Sequence, residues 1–309
     1  MNSTISKIKG VFSLLKNIDI DQLSQISQKV DLPKLIHQFS KLDKNQLNSL
    51  TKMLDSSGKK RELPPINGDF YELHLKLTDE QRAIQLKVRE FMEKEAKPLV
   101  NRYRLTDDFP HELIPKFKKL NLCSVTYEGY GCPNLPFLME GVIAMEIARV
   151  DASLATFFGV QSGLSMGSIY MCGSEEQKQK YLPGMQQFDL IGAFGLTEPE
   201  VGSGAAGGLT TTCQKVEGGW ILNGQKKWIG NATFADVTVI WARDVEDNQV
   251  KGFIVEKDTA GFSVEKIRGK MALRIVQNGL ITMKDCFVAD SQKMEHANSF
   301  KDTAKVLQM

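Results

Sequence analysis

Apolar positions recur at helical spacing through the first 190 residues and at a spacing of two thereafter. In residues 1–60 the sets Leu23, Ile26, Val30, then Leu35, Ile36, Phe39, Leu42, then Leu47, Leu50, Met53, Leu54 predict short amphipathic helices, with Asp31 and Asp43 where N-caps would sit. Ser56–Arg61 reads as a linker, and Pro64-Pro65 marks its far end. A capping box, Thr78-Asp79-Glu80-Gln81, then opens a helix whose apolar stripe is Ile84, Val88, Phe91 and Met92. Pro98 marks the expected end of that pattern, and Asp108-Phe109-Pro110 opens a second helix. Residues 136–150 and 152–171 predict two longer helices, with Gly173 as a C-cap. Ser174-Glu175-Glu176-Gln177 starts another, expected to stop near Pro183-Gly184.

Beyond residue 190 the signals are those of short strands. Thr210–Val216 alternates, and Trp220–Leu222 is bounded by Gly218-Gly219 and Asn223-Gly224, both hairpin signals. Val237, Val239 and Trp241 alternate; so do Phe253 and Val255, Phe262 and Val264, and Ile281 and Met283, with Phe287 near by. The pattern predicts a compact antiparallel β domain, a barrel or sandwich. Residues 298–309 turn helical again. The expected organisation is α+β and multidomain: a helical extension over 1–60, a helical domain over 75–190, a β domain over 191–297, and the start of a further helical domain over 298–309.

Composition narrows the function classes. The 309 residues leave room for two domains with real cores. A net charge of +2, with lysines spread along the chain, gives no case for nucleic acid. No apolar run reaches membrane-span length, so a soluble chain is expected. Five cysteines, Cys123, Cys132, Cys172, Cys213 and Cys286, lack ligand spacing and read as reduced thiols. His37, His74, His111 and His296 have no ligand-spaced partners, so no metal site is expected. Residues 1–18 carry Lys7, Lys9 and Lys16 and no acid, but also no Arg; they read as the first helix of the extension rather than a targeting segment.

Candidate chemistry centres on two segments. Gly195-Leu196-Thr197-Glu198-Pro199-Glu200-Val201-Gly202-Ser203 follows the apolar run Leu190–Phe194. Its small residues, hydroxyls and backbone N–H groups suit a phosphate or the edge of a planar cofactor. About thirty residues on, Gln225-Lys226-Lys227-Trp228-Ile229-Gly230-Asn231 brings an indole toward the same place. Gly202–Gly207 spells G-x-G-x-x-G, but a β-rich run follows where a dinucleotide-binding helix would be needed.

In this order and spacing the two segments resemble the flavin-binding segments of the acyl-CoA dehydrogenase and acyl-CoA oxidase family. The likeness runs from about residue 75 to the end. It includes Gly129-Tyr130-Gly131-Cys132-Pro133, Glu146–Ser153, Gly173–Lys178 with Tyr181-Leu182-Pro183, and Leu273–Gly279. Within the family it is nearest to the glutaryl-CoA dehydrogenase-like branch, and there to the plant short-chain peroxisomal acyl-CoA oxidase, which shares Trp-Ile-Gly-Asn and Val-Gln-Asn-Gly. The resemblance implies that Phe194, Gly195, Leu196, Thr197, Glu198, Pro199, Glu200, Val201, Gly202 and Ser203, with Trp228, Ile229 and Gly230, line FAD. Thr197 would meet the pyrimidine edge of the flavin. Ser203, Ala155 and Gly159 would contact the acyl-CoA, with Ser162, Gly163 and Met166 in the same acyl-pocket wall. Four residues depart from the family pattern: Val201 for a small or polar residue, Gly204 for Asp, Gly230 for a Thr whose hydroxyl reaches the flavin, and Ala155 for the Arg that pairs a distal carboxylate in glutaryl-CoA dehydrogenases.

The implied reaction is FAD-dependent α,β-dehydrogenation of a short- to medium-chain, monocarboxylic acyl-CoA to the trans-2-enoyl-CoA. Electrons would pass to oxygen or to an electron-transfer flavoprotein, in a homotetramer of the peroxisome or mitochondrial matrix. The family's catalytic glutamate lies in a C-terminal helical bundle that is absent from this chain, so no base is assigned, and the chain reads as a truncated form. The alternative is a catalytically inactive flavin- or acyl-CoA-binding protein, or an interaction protein, derived from the family.

Overall fold

The computed structural model describes residues 46, 69, 71–203 and 205–308, leaving aside the side chains of residues 205 and 206. The readings for residues 1–60 therefore lie outside the described residues, Gln46 apart, as does Gly204. The compact unit beginning at Gly68 contains everything that follows.

The capping box forms as read. Thr78 Oγ1 accepts from Gln81 N, the Gln81 side chain accepts from Thr78 N, and α1 runs Asp79–Phe91. Pro98 does not end the helix. A π-helical turn, Met92–Ala96, carries the chain straight into α2, Lys97–Thr106. Lys97 N bonds back to Met92 O, and this wider turn displaces the carbonyls that the proline ring would otherwise meet. A short 3₁₀ turn leads to α3, Ile114–Leu120. Then come α4, Leu138–Val150, and α5, Ala152–Gly159. A second π-helical turn, Val160–Ser165, joins α5 to α6, Met166–Cys172. The second capping box, Ser174 with Gln177, opens α7, Glu175–Gln186. Here too the expected stop is wrong, because α7 runs through Pro183. The missing N–H falls on the exposed Gln179 side, while Leu182 just before the proline and Met185 and Gln186 beyond it are buried and hold the last turn.

Two motif residues act as pins between helices. Glu146 on α4 is fully buried and accepts from Arg89 (2.6 and 2.9 Å), Gln85 (2.9 Å) and Arg149 (3.2 Å). Asp151 caps α5 through Ser153 N and Leu154 N and also takes Arg104 from α2.

The sheet consists of β1 Gly192–Gly195, β2 Thr212–Val216, β3 Gly219–Ile229, β4 Val237–Asp244, β5 Val250–Glu256, β6 Phe262–Lys266 and β7 Gly279–Ala289. Its order is β1-β4-β2-β3-β7-β6, with β5 on β4. The β2–β3, β3–β7, β6–β7 and β4–β5 pairs are antiparallel, as expected. The exceptions are β1 and β2, which both lie parallel to β4. Asn223-Gly224 is a bulge inside one long β3, not a turn. Pairing with β7 shifts between Leu222 and Gly224, and the Asn223 side chain accepts from Asp285 N on the partner strand. An α8, Phe300–Leu307, follows the sheet.

Strand parity decides where each side chain goes. Phe194 of β1, Val237, Val239 and Trp241 of β4, and Val250 and Ile254 of β5 join the core shared with the helices. Ala193, Ile240, Ala242, Phe253 and Val255 point the other way, into a second core with Cys213, Leu222, Ile281, Met283 and Cys286. Strands β4 and β5 are thus buried on both faces, and β1 is held between a helical layer and a curled sheet.

The Glu146 node yields a first prediction. Glu146→Ala should leave Arg89 and Gln85 without their acceptor and cost on the order of 3–5 kcal/mol. Urea unfolding at neutral pH measures it; a loss below about 1 kcal/mol, the scale of an exposed pair, would contradict the pin.

Candidate functional site

The first candidate segment leaves β1 at Gly195 and the second closes β3, yet β1 and β3 are not hydrogen-bonded neighbours. What brings them together is Lys226. Its side chain, on β3, is fully buried and donates to Leu196 O (3.1 Å) and Glu198 Oε1 (2.8 Å). Glu198 is equally buried and takes Thr210 N (2.6 Å), Thr210 Oγ1 (2.6 Å) and Thr211 N (2.9 Å) as well. The next residue of β3, Lys227, donates its backbone N–H to Thr197 O (2.8 Å). The two segments therefore meet at Thr197 and Lys227.

Burial alone would push the Glu198 carboxyl up. The Lys226 ammonium and the hydrogen bonds from Lys226 and Thr210 outweigh it and bring it down to about 2. Burial pushes Lys226 down to about 8 against the attraction of Glu198. Both groups are charged at neutral pH. Glu198 is consequently committed to holding the loop.

The predicted cofactor residues divide into two sets. Phe194, Gly195, Leu196, Glu198, Ile229 and Gly230 are buried in the framework, where only their backbone can face a ligand. Thr197, Pro199 and Val201 are partly exposed, and Glu200, Gly202, Ser203 and Trp228 are exposed. Trp228 is 52% exposed and adopts a left-handed backbone, φ 64°. For a bulky residue that conformation costs about 1–3 kcal/mol and persists only where its surroundings impose it. Asn231, three residues on, shares the same φ of 64°. Its side-chain amide donates to Phe157 O and Gly192 O, both at 3.2 Å.

That amide ties the Trp228 segment to α5, which carries Ala155 and Gly159. Both are partly exposed. A Cβ added at Gly159 would meet nothing within 4 Å, so the helix presents open space there. Gly230, by contrast, is closed off: an added Cβ would come to 3.2 Å from Val160 Cγ2 and 3.7 Å from Val276 Cγ1. Ser162 lies under the surface and donates to Glu140 (3.0 Å), while Met166 is buried against Cys123 and Ser124. These two belong to helix packing rather than to an open wall. Among the described residues no group of histidines, cysteines and carboxylates could hold a metal ion, and no helix is long and apolar enough to cross a membrane.

Sequence reasoning missed Lys226 and Gln161. Gln161, inside an apolar helix, accepts from Gly192 N (2.6 Å) and donates to Met185 O and Leu190 O, fixing β1 against the π turn. A polar residue in an otherwise apolar helical stretch was the available signal.

Comparison with known proteins identifies the class of this helical and sheet scaffold. The family profile described as acyl-CoA dehydrogenase, N-terminal domain, matches residues 78–189, and that of the middle domain matches residues 193–286. The chain belongs to the acyl-CoA dehydrogenase family. It is 37% identical over 201 residues to an acyl-CoA dehydrogenase of Bacillus subtilis, covering 64% of this chain and 53% of the relative. It is 31% identical over 224 residues to a mitochondrial 2-methylacyl-CoA dehydrogenase of Solanum tuberosum, covering 71% and 54%. Among solved structures, a glutaryl-CoA dehydrogenase from Mycobacterium smegmatis in complex with FADH2 superposes with a TM-score of 0.74 at 34% identity, over 77% of this chain and 61% of that one. Butyryl-CoA dehydrogenase from Megasphaera elsdenii gives 0.70 at 28%, over 75% and 62%. The chain spans about half the length of the curated relatives it matches.

The buried ion pair carries a pH signature. Glu198 sits below the ordinary carboxylate value of about 4.3, so its stabilisation is complete above that value and is lost as pH falls toward about 2. Glu198→Gln, which strands the Lys226 ammonium, should cost about 3–5 kcal/mol at pH 7. The gap to wild type should narrow by on the order of 2 kcal/mol, roughly half, between pH 5 and pH 2.5. The double variant Glu198→Gln/Lys226→Met should recover most of the loss. Urea midpoints across pH test both; a gap that stays constant with pH would show that Glu198 is not held ionised.

Proposed function

We propose that this chain supplies the flavin-facing and acyl-facing walls for FAD-dependent α,β-dehydrogenation of an acyl-CoA thioester. One observation carries the reading: the Lys227 N–Thr197 O bond joins the segment bearing the half-exposed Trp228 to the partly exposed hydroxyl loop, and Asn231 ties that segment to the helix bearing the open Gly159 position. A flat cofactor with one polar edge fits such a face. Trp228 offers an apolar plane, Thr197 offers a hydroxyl and backbone groups for the edge, and Gly202 and Ser203 leave room along the loop. FAD, when bound, accepts the β hydrogen of the substrate as hydride. The backbone of residues 194–203 and 228–230 would orient it. Ser203, Ala155 and Gly159 would border the acyl-CoA.

Proton removal from the α carbon needs a free carboxylate or another base within reach. Glu198 is excluded from that role, because four donors from Lys226, Thr210 and Thr211 occupy it. Exposed Glu200 sits in the cofactor loop and is given no catalytic role. The proposed substrate is monocarboxylic and short to medium in chain length, since Ala155 offers no cation to a distal carboxylate. The absence of a hydroxyl at Gly230 supports oxygen as the acceptor over an electron-transfer flavoprotein. Relatives with mitochondrial designations support a mitochondrial matrix setting.

FAD titrated into the 309-residue chain should quench tryptophan emission with one-to-one stoichiometry, and Trp228→Phe should remove most of that quench without unfolding the protein. Butyryl-CoA should perturb the bound flavin spectrum at lower concentration than glutaryl-CoA. Ala155→Arg should shift the preference toward glutaryl-CoA by about tenfold, the scale of one charge-assisted hydrogen bond. A quench indifferent to Trp228 would overturn the placement of FAD, and an unchanged preference would remove Ala155 from the acyl wall.

A further inference from the structure

Trp228 is half exposed, with the Lys227 ammonium 5.8 Å from its ring centroid, so the placement of its indole rests mainly on its backbone. One anchor is the Lys227 N–H on Thr197 O. A second is the pairing of Ile229 with Gly279 at the start of β7. The third comes from the segment before β7: Asn278 Nδ2 donates to the Trp228 carbonyl at 2.9 Å. The other end of the same amide, Asn278 Oδ1, accepts from Lys270 Nζ at 2.6 Å. Lys270 places its remaining donors on Leu273 O (2.8 Å) and Val276 O (2.5 Å). An ammonium can only donate and a carbonyl can only accept. The chemistry of both neighbours therefore forces the amide into one orientation, nitrogen toward Trp228. The segment is itself tied to the end of α2, where Arg274 pairs with the Asp107 carboxylate and Gln277 Nε2 donates to Asp107 O (3.0 Å).

We infer that Asn278, oriented by Lys270, is a positioning residue for Trp228: its amide holds the left-handed turn from which the exposed indole projects. The consequence for flavin rests on the proposed function; the hold on the indole does not. The test is ¹⁹F NMR of the full chain labelled with 5-fluorotryptophan. The three tryptophans, Trp220, Trp228 and Trp241, give three resonances, and Trp228→Phe assigns the middle residue by loss of its signal. Asn278→Asp keeps the shape and the acceptor for Lys270 but replaces the donor to Trp228 with a second acceptor. Lys270→Met leaves the amide in place and frees it to rotate. In the flavin-free protein both variants should move the Trp228 resonance toward that of free 5-fluorotryptophan while Trp220 and Trp241 stay put, Asn278→Asp by more. The dissociation constant for FAD should rise about fivefold in Asn278→Asp, the scale of one neutral hydrogen bond. A Trp228 resonance unchanged in both variants overturns the inference, and so does equal movement of all three signals, which would mark a general loss of fold. FAD that leaves the wild-type Trp228 resonance unmoved would instead count against the flavin reading, with the positioning role still judged on the flavin-free spectra.

Discussion

The site depends on one ion pair in the protein interior. Glu198 and Lys226 are both fully buried, and burying two charges carries a desolvation cost of several kcal/mol per ion. The cost is met only because every partner is in place: two threonine amides and a hydroxyl on the carboxylate, a carbonyl and the carboxylate on the ammonium. An apolar pair could fill the same volume without fixing direction. The ion pair does fix direction, because its hydrogen bonds reach three separate pieces of chain: the loop after β1, the entry to β2, and the middle of β3. The loop that carries Thr197 and Ser203 is therefore tied to the strand that carries Trp228, although no ladder of backbone bonds joins β1 to β3.

The second constraint is the close seat of a helix on a strand. Gly192 lies where a Cβ would fall 2.2 Å from Ser165 Oγ and 2.5 Å from Met185 Cε, so only glycine allows β1 to approach the π turn after α5. Gln161 then exchanges bonds with the Gly192 amide and with the carbonyls of Met185 and Leu190. The wider π turn lets a residue of α5's own continuation reach the strand without breaking the helix. Gly159, directly before that turn, is positioned by it.

Much of the helical half was legible because capping and periodicity are local. Thr78 with Gln81 and Ser174 with Gln177 behave as any such pair would in isolation. The prolines misled for a reason that is not local: whether a lost N–H matters depends on which face meets solvent and on what is buried beyond it, as at Pro183. In the sheet, β6 and β7 keep partial alternation, but β4 and β5 are covered on both sides, so their burial carries no period of two. The candidate site was read through likeness of motif rather than through pattern. In that likeness Gln225-Lys226-Lys227 enters only as the lead to Trp228, and nothing in it marks Lys226 as buried. Strict alternation would put Lys226 and Trp228 on one face and Lys227 and Ile229 on the other. The register shift between Lys226 and Ile229 breaks that parity, so Lys226 and Ile229 both turn inward and Trp228 turns out. A bulge of this kind leaves no mark in the residue types alone.

The same shift explains why Gly230 is more than a missing hydroxyl. Trp228 and Asn231 both take left-handed backbones, and between them the chain has no freedom to move aside. Val160 from the π turn and Val276 from the segment before β7 already stand at 3.2 and 3.7 Å from where a Cβ would be. A threonine placed here must push Val160 by a few tenths of an ångström before its hydroxyl can point anywhere. Val160 adjoins Gly159, so the displacement would be felt at the end of α5. The space a side chain at Gly230 would need and the helix turn that carries Gly159 are thus mechanically linked through one valine.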